Sequence, residues 1–304
     1  MVHVGTSAWA NPTLIRDSDF YPPTVRTPAD RLRYYASQFP LVEADSTYYR
    51  VPSEQMVAAW DDRTPDGFVF NIKAFRAFTL HPTPPGALPA DLRSALNESA
   101  ALKRNVYWQD LPGALQQELW ARFRRGLQRL ADPRKLGAVL FQFPAWVHPV
   151  RENRRHLAAL RQALPDFHLA VEFRDVSWVS SNNLEETLQL LRQQELTFVC
   201  VDEPQIGRLL PPIVRVTTPA ITVVRLHGRN AEAWKTRGET TSERSRYLYQ
   251  QHELKEWVTR VQELAHDAAE VHVVFNNSYA DYAVRNARQF TQLLAAAGIP
   301  VRRP

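Results

Sequence analysis

The sequence predicts a (β/α)8 barrel, and three observations lead there. Short apolar runs rich in β-branched and aromatic residues recur eight times along the chain. Amphipathic segments with a helical period separate most of them. The polar residues of the runs gather at their C-terminal ends. Strands buried on both faces of a parallel sheet read as near-continuous apolar runs, and barrels of this kind place their chemistry where the strands end. An open doubly wound sheet fits less well, because Gly5-Thr6-Ser7-Ala8-Trp9 after the first run is no glycine-rich dinucleotide loop.

Strands are expected over 2–6, 42–47, 68–73, 137–143, 168–174, 196–202, 221–227 and 271–276. Between them the helical stripes follow the 3.6-residue period. Leu32, Tyr35, Ala36 and Phe39 form the first. Ser53 is a candidate N-cap before Met56, Val57 and Trp60. Leu115, Leu119, Phe123, Leu127 and Leu130 make a long stripe, and Leu157, Leu160 and Leu164 another that stops at Pro165. Leu184, Leu188 and Leu191 follow Asn182-Asn183. Leu254, Trp257, Val258, Val261 and Leu264 come next. Ala283, Ala287, Phe290, Leu293 and Leu294 come last, closed by Gly298 and Pro300. The reading is one domain over 1–304. Two departures from a plain barrel are expected: a long helical insertion over 75–136, and a missing or vestigial helix in the proline-rich stretch 203–220.

Composition excludes several classes. The chain has 304 residues, 44% of them hydrophobic, with only 10 Gly and a single Cys, so collagen-like, disordered and disulfide-stapled classes do not fit. Cys200 lies in an apolar run and is read as a core thiol. The opening residues read as a strand rather than a leader peptide, and no apolar run approaches the roughly 20 residues a membrane helix needs. A cytoplasmic protein with no membrane partner is expected. The net charge of +5 gives weak support to an anionic partner, since the excess is mostly arginine in an Ala- and Leu-rich chain. The densest basic stretch, Arg122-Phe123-Arg124-Arg125 with Arg129, Arg134 and Lys135, shares a helix with an apolar stripe and reads as a solvated face before a nucleic-acid surface. A nucleic-acid partner is therefore the weaker expectation.

The strand ends hold the candidate site. The first strand gives Thr6 and Ser7, then Trp9. The second gives Glu43, Asp45 and Thr47 on one face by two-residue alternation, then Tyr48. The third ends in Lys73 and the fourth in Gln142. The fifth gives Glu172 and Arg174, then Trp178. The sixth ends in Asp202-Glu203, the seventh in Arg225 and His227 before Arg229, and the eighth in Asn276-Asn277 before Tyr279. Charges taken out of water cost several kcal/mol each unless they pair or bind something. The set therefore forms either an ion-pair network sealing the barrel top or a ligand site with partial internal pairing, with Glu172 pairing to Arg174 or Arg225. His81, just after the third strand, could fold over the mouth. His3 and His272 sit at strand starts, and His148, His156, His252 and His266 read as surface residues.

Three chemistries suit these residue types. Glu43, Asp45, Glu172, Asp202 and His227 could ligate a divalent metal, but their spacing matches no metal motif and the arginines oppose a cation, so no metal set is assigned. Acid–base work would use Glu172 or Asp202 as base, His227 as acid, and Lys73 or an arginine to stabilise negative charge. Anion or sugar-phosphate binding would use Arg225, His227 and Arg229, with walls from Trp9, Tyr48, Trp178 and Tyr279. The sequence leaves both the cofactor and the oligomeric state open.

The same strand ends carry a family resemblance. Gly5-Thr6-Ser7-Ala8-Trp9, Phe20-Tyr21-Pro22 and Val42-Glu43-Ala44-Asp45-Ser46-Thr47-Tyr48-Tyr49-Arg50-Val51-Pro52 resemble the start of the DUF72 (YecE-like) family. Phe68 through Ala74, Leu140-Phe141-Gln142-Phe143-Pro144, Val171-Glu172-Phe173-Arg174 with Ser177-Trp178, Val224 through Arg229 and Phe275-Asn276-Asn277 continue it in order, as do Tyr247, Tyr249, Glu253-Leu254 and Trp257. The resemblance implies a TIM barrel, distantly likened to sugar isomerases, of unestablished activity. The chain departs from the family pattern at Asp45, where Asn is more frequent, at Asp175, where His is common, and at Ala145 and Ser278. Carboxylates at 45 and 175 are expected to add negative charge near the mouth.

The function expected from all this is an enzyme acting by acid–base chemistry on a small polar, sugar-like or phosphorylated substrate. Glu172, His227, Lys73 and Asp202 are its expected catalytic residues. Thr6, Ser7, Trp9, Asp45, Thr47, Tyr48, His81, Gln142, Arg174, Trp178, Arg225, Arg229, Asn276 and Asn277 are expected around the substrate. The alternatives are a metal-dependent phosphodiesterase- or nuclease-like barrel acting on nucleic acid, and a metabolite-binding module without turnover.

Overall fold

The computed structural model describes residues 1–96, 98–236 and 241–304. Strands β1 (Val2–Ser7), β2 (Leu41–Ala44), β3 (Val69–Lys73), β4 (Leu136–Gln142), β5 (His168–Glu172), β6 (Leu196–Asp202), β7 (Ile221–Leu226) and β8 (Glu270–Phe275) are parallel and close into a barrel in sequence order. The seam between the first and last strands is in register from Val2↔Val271 to Thr6↔Phe275. Gly5 sits where β1 meets β2: a Cβ there would lie 1.9 Å from the Leu41 carbonyl oxygen, so only glycine lets the two backbones approach.

The expected helices form, and side-chain caps open the first two. Thr27 and Asp30 make a reciprocal capping box before Pro28–Ala36. The Ser53 hydroxyl accepts from the Met56 amide at 3.2 Å and opens Glu54–Asp61. Helices Gly113–Ala131, Arg151–Ala163, Leu184–Gln193, Gln251–Asp267 and Tyr282–Ala296 bury the apolar stripes read from the sequence. No helix among the described residues is long and apolar enough to cross a membrane.

Both departures from a plain barrel are present, with changed detail. The chain between β3 and β4 is less helical than expected: 3-10 turns at Arg76–Thr79, Pro85–Ala87, Ala90–Ala95 and Trp108–Asp110 precede the crossover helix Gly113–Ala131. After β6 no helix forms among residues 203–220. Instead the segment returns along β6, where the Thr217 hydroxyl accepts from the Phe198 amide at 2.8 Å and donates to the Leu196 carbonyl at 2.7 Å. Cys200 is buried, and burial pushes its thiol up to about 11.

The main core lies between barrel and helices. Leu41, Val69 and Val274 form a separate buried cluster inside the barrel. Residues that alternate with them place polar groups on both sides of this plug. Glu43, Arg225 and Glu172 lie toward the strand ends and His3 and His272 toward the strand starts, while Asn71, the register partner of Glu43, reaches His272 Nδ1 at 2.9 Å.

Candidate functional site

Two adjoining cavities open at the C-terminal mouth. One, of about 400 Å³, is lined by Ser7, Asp45, Tyr48, Lys73, His81, Gln142, Arg174, His227 and Asn276, closed by Trp146, Trp234 and Arg244. The other, of about 560 Å³, shares Ser7, Asp45 and Asn276 and extends over Trp9, Asn11 and Arg16. Eight residues expected around the substrate or in catalysis thus meet on the wall of the first cavity, together with His81 from the loop after β3.

Beneath the wall lies a buried network. The Arg225 guanidinium is 1% exposed and grips two carboxylates: Nε and Nη2 donate to Glu43 at 2.9 and 2.6 Å, and Nη1 donates to Glu172 Oε2. Glu172 Oε1 accepts from Gln142 Nε2 at 2.7 Å, His227 Nε2 at 2.9 Å and Arg174 Nη1 at 3.2 Å. Arg174 also pairs with Glu203 at 2.9 Å and stacks over Trp234. Glu172 is fully buried, and burial would raise its pKa; the Arg225 charge, His227 and Arg174 overcome this and hold it well below the usual carboxylate range. Glu172 therefore stays ionised with both carboxylate oxygens engaged.

His227 is fixed in one tautomer. Asn276 Nδ2 donates to Nδ1 at 2.8 Å, which leaves the proton on Nε2 to donate to Glu172. Burial brings the imidazole down to about 4, against the pull of Glu172. His227 is thus a neutral donor whose two nitrogens are both in use.

The wall residues are different. No carboxylate among the described residues lies within ion-pair distance of Lys73, and none accepts a hydrogen bond from it; its ammonium rests over the Tyr48 ring at 4.9 Å. Burial pulls Lys73 below the ordinary lysine range, with Arg225 adding to the effect. Burial pushes Asp45 up, against the more distant pull of Lys73, and no side chain among the described residues is bonded to its carboxylate. His81 Nδ1 meets the Thr79 hydroxyl at 2.8 Å, and burial lowers this ring to about 4.

Other expected residues stand elsewhere. Asp202 does not reach the cavity: it receives Nε and Nη2 of Arg229 at 2.8 and 2.7 Å, the Tyr249 hydroxyl at 2.8 Å and Trp257 Nε1 at 2.6 Å. Arg229 is spent on Asp202, Glu253 and Glu256. Thr6 bonds the Tyr35 hydroxyl. Thr47 breaks the expected alternation because β2 ends at Ala44 and turns into a 3-10 segment, Ser46–Tyr48; its hydroxyl binds the Ala44 and Lys73 carbonyls. Trp178 is no wall: it stacks on Phe173 in the outer core and donates to the Val147 carbonyl at 2.6 Å. Asn277 is buried and donates to Tyr247 and Asn286. Asp175 adds no charge to the cavity, because Arg208 takes it with two 2.7 Å bonds. His156 is half-buried rather than on the surface, its Nε2 2.7 Å from the Phe78 carbonyl.

Glu43 is the residue the sequence reading undervalued. It was one carboxylate among several at the strand ends, yet it is fully buried and takes two of the Arg225 bonds. Its place inside an otherwise apolar four-residue strand was the available signal. The basic helix is largely neutralised: Arg122 pairs with Asp91 and Glu118, Arg125 with Glu118, and Arg124 with Asp166.

Comparison with known proteins agrees with this architecture. The family model described as "Protein of unknown function DUF72" matches residues 3–304. The UPF0759 protein YunF of Bacillus subtilis is 32% identical over 298 residues, 97% of this chain and 95% of that protein. A crystal structure of a DUF72 family protein from Enterococcus faecalis superposes with a TM-score of 0.79 at 29% identity, covering 97% of this chain and 96% of the other. One from Thermotoga maritima gives 0.75 at 31% identity, covering 97% and 99%. A match along the whole length, carried by relatives of the same closed barrel, places this chain in the DUF72 family.

Proposed function

We propose that the mouth cavity binds a small hydroxylated substrate carrying an anionic group and acts on it by acid–base chemistry, with Lys73 and Asp45 as the proton-handling pair. The observation that supports this most is the division of labour among the ionisable groups. Glu172, His227 and Asp202, the other acid–base candidates, have no atom left for a substrate. Lys73 and Asp45 have theirs, on the wall of a 400 Å³ cavity, a size suited to a small ligand. Their environments push Lys73 down and Asp45 up, the directions that acid–base work asks of a lysine and a carboxylate. Lys73 and Arg174 offer positive charge to an anionic group, and Tyr48, Trp146 and Trp234 offer faces for the C–H surface of a sugar-like ring. The buried Glu43–Arg225–Glu172–His227 network holds Gln142, Arg174 and Asn276 in place beneath the ligand.

The test is solvent exchange. The protein is incubated with a panel of aldose and ketose phosphates in D2O, and carbon-bound deuterium is read by mass spectrometry. Deuterium enters at least one panel member, and Lys73→Met and Asp45→Asn each slow entry by about a hundredfold or more. Binding without exchange or product across the panel would reduce the site to a binding module. Exchange that survives both substitutions would remove the assigned pair.

A further inference from the structure

We infer that the N-terminal floor of the barrel holds a divalent transition-metal site of the zinc class, made by His3, Glu270 and His272, which staples the seam between β1 and β8. His3 and His272 are register partners across that seam, and Glu270 precedes His272 by two residues, so all three side chains share one face. Their candidate ligand atoms lie within 4.8 Å of one another.

Hydrogen bonding at Asn71 fixes the tautomer of neutral His272. Asn71 Oδ1 accepts from the Ala138 backbone amide at 2.9 Å. A backbone N–H can only donate, so this end of the side chain is the oxygen. The same oxygen lies 2.9 Å from His272 Nδ1, so Nδ1 carries a hydrogen. Nε2 of the neutral ring is then a bare lone pair, and it lies 3.2 Å from Glu270 Oε2. Two acceptors face each other at contact distance, one on His272 with no exposure and one on half-exposed Glu270. A cation must sit between them: a metal ion, or a proton on His272.

His3 favours the metal. Its Nε2 is 4.0 Å from the same Glu270 oxygen, and its Nδ1 is buried with no partner. One proton on His272 leaves His3 Nε2 without a bond to the carboxylate, whereas a metal uses the Nε2 of both imidazoles; His3 Nδ1 stays unpartnered in either case. Zinc bonds of about 2.0–2.2 Å put tetrahedral ligand atoms roughly 3.4 Å apart. The His272–Glu270 separation already fits; His3, 4.0 Å from the Glu270 oxygen and within 4.8 Å of the His272 ligand atom, has to close by about 0.6 Å on the first and by up to about 1.4 Å on the second. Asn71 serves as the outer partner that orients a ligating histidine. Gly137 makes the room, since a Cβ there would lie 2.6 Å from Asn71 Oδ1 and 2.7 Å from His272 Cε1. Glu270 is half exposed and borders a floor cavity of about 410 Å³, which supplies the entry path and a water for the fourth position. Arg302 and the Met1 ammonium act against any cation here, proton and metal alike.

The test uses the full chain, tag-free and stripped with chelator, titrated with Zn²⁺ alone by calorimetry and with Co²⁺ by visible absorption. One equivalent binds, the melting temperature rises with Zn²⁺, and Glu270→Gln weakens the affinity at least about tenfold. His3→Gln, on the other strand of the seam, does the same. Both variants are first checked for a wild-type circular dichroism spectrum. Zn²⁺ binding unchanged in both variants, or no Zn²⁺-dependent rise in melting temperature, would overturn the site. So would an imidazolium signature for His272 in chelated protein that added Zn²⁺ does not displace.

Discussion

The two ends of the barrel use the same three residue types to opposite effect. At the mouth, Asn276 donates to His227 Nδ1, so Nε2 carries the proton and donates to Glu172. At the floor, Asn71 accepts from His272 Nδ1, so Nε2 is bare and faces Glu270. One asparagine closes a hydrogen-bond network and the other leaves it short of one cation. A buried imidazole beside a carboxylate is therefore no functional signature until its second nitrogen is traced. The mouth differs again in having Lys73 and Asp45 left over once its network is complete.

The largest expected effect breaks the mouth network. Arg225→Met leaves Glu43 and Glu172 buried without their partner and costs on the order of 3–5 kcal/mol in urea unfolding. Adding Glu43→Gln and Glu172→Gln to that variant recovers much of the loss. At the floor, metal-free Glu270→Gln costs under about 1 kcal/mol, because Glu270 is half exposed. Equal costs at both ends would dissolve the contrast.

Acid sharpens it next. His227 titrates at about 4 in the fold against 6.5 when unfolded. The unfolded chain binds this proton first, so the stability is intact above pH 6.5 and drains as pH falls from 6.5 to 4. The slope is about 1.4 kcal/mol per pH unit for this one group. Glu172, depressed in the fold, extends the loss below its ordinary value of 4.5. Urea midpoints measured across pH 7 to 4 should show the fall, and His227→Gln should remove its share of the slope, leaving that of His81.

A smaller effect belongs to the floor. Gly137→Ala drives a methyl into Asn71 and His272 and costs about 1–3 kcal/mol by the same unfolding measurement. A neutral result would mean that the Asn71–His272 contact is not tightly held.

The barrel was legible because burial writes itself into composition: each strand is an apolar run, and each helix repeats Leu, Phe or Ala at its period. Boundaries slipped where side chains rather than pattern end a strand, as with Thr47 binding the Ala44 and Lys73 carbonyls. The convergence of Ser7, Lys73, Gln142, Arg174, His227 and Asn276 followed from topology alone. Which of them remain free did not, because that depends on pairings such as Arg225 with Glu43, residues 182 positions apart. Asp202 and Arg229 read as a strand-end acid and base; only coordinates show that Tyr249 and Trp257 from a later segment have claimed the acid. The floor site was invisible for the same reason, since His3 and His272 stand at opposite ends of the chain.

Lys73→Met is the gentlest substitution for stability, changing it by less than about 1 kcal/mol, since the ammonium has no ion partner to lose. It is also the most direct probe of the central idea, that the mouth cavity recognises an anionic, hydroxylated molecule through Lys73. Thermal unfolding is followed while a sugar phosphate is raised in concentration against wild type and Lys73→Met. The wild-type melting temperature climbs with ligand and that of the variant stays flat. Equal stabilisation of both proteins, or none of either by any sugar phosphate, would contradict it.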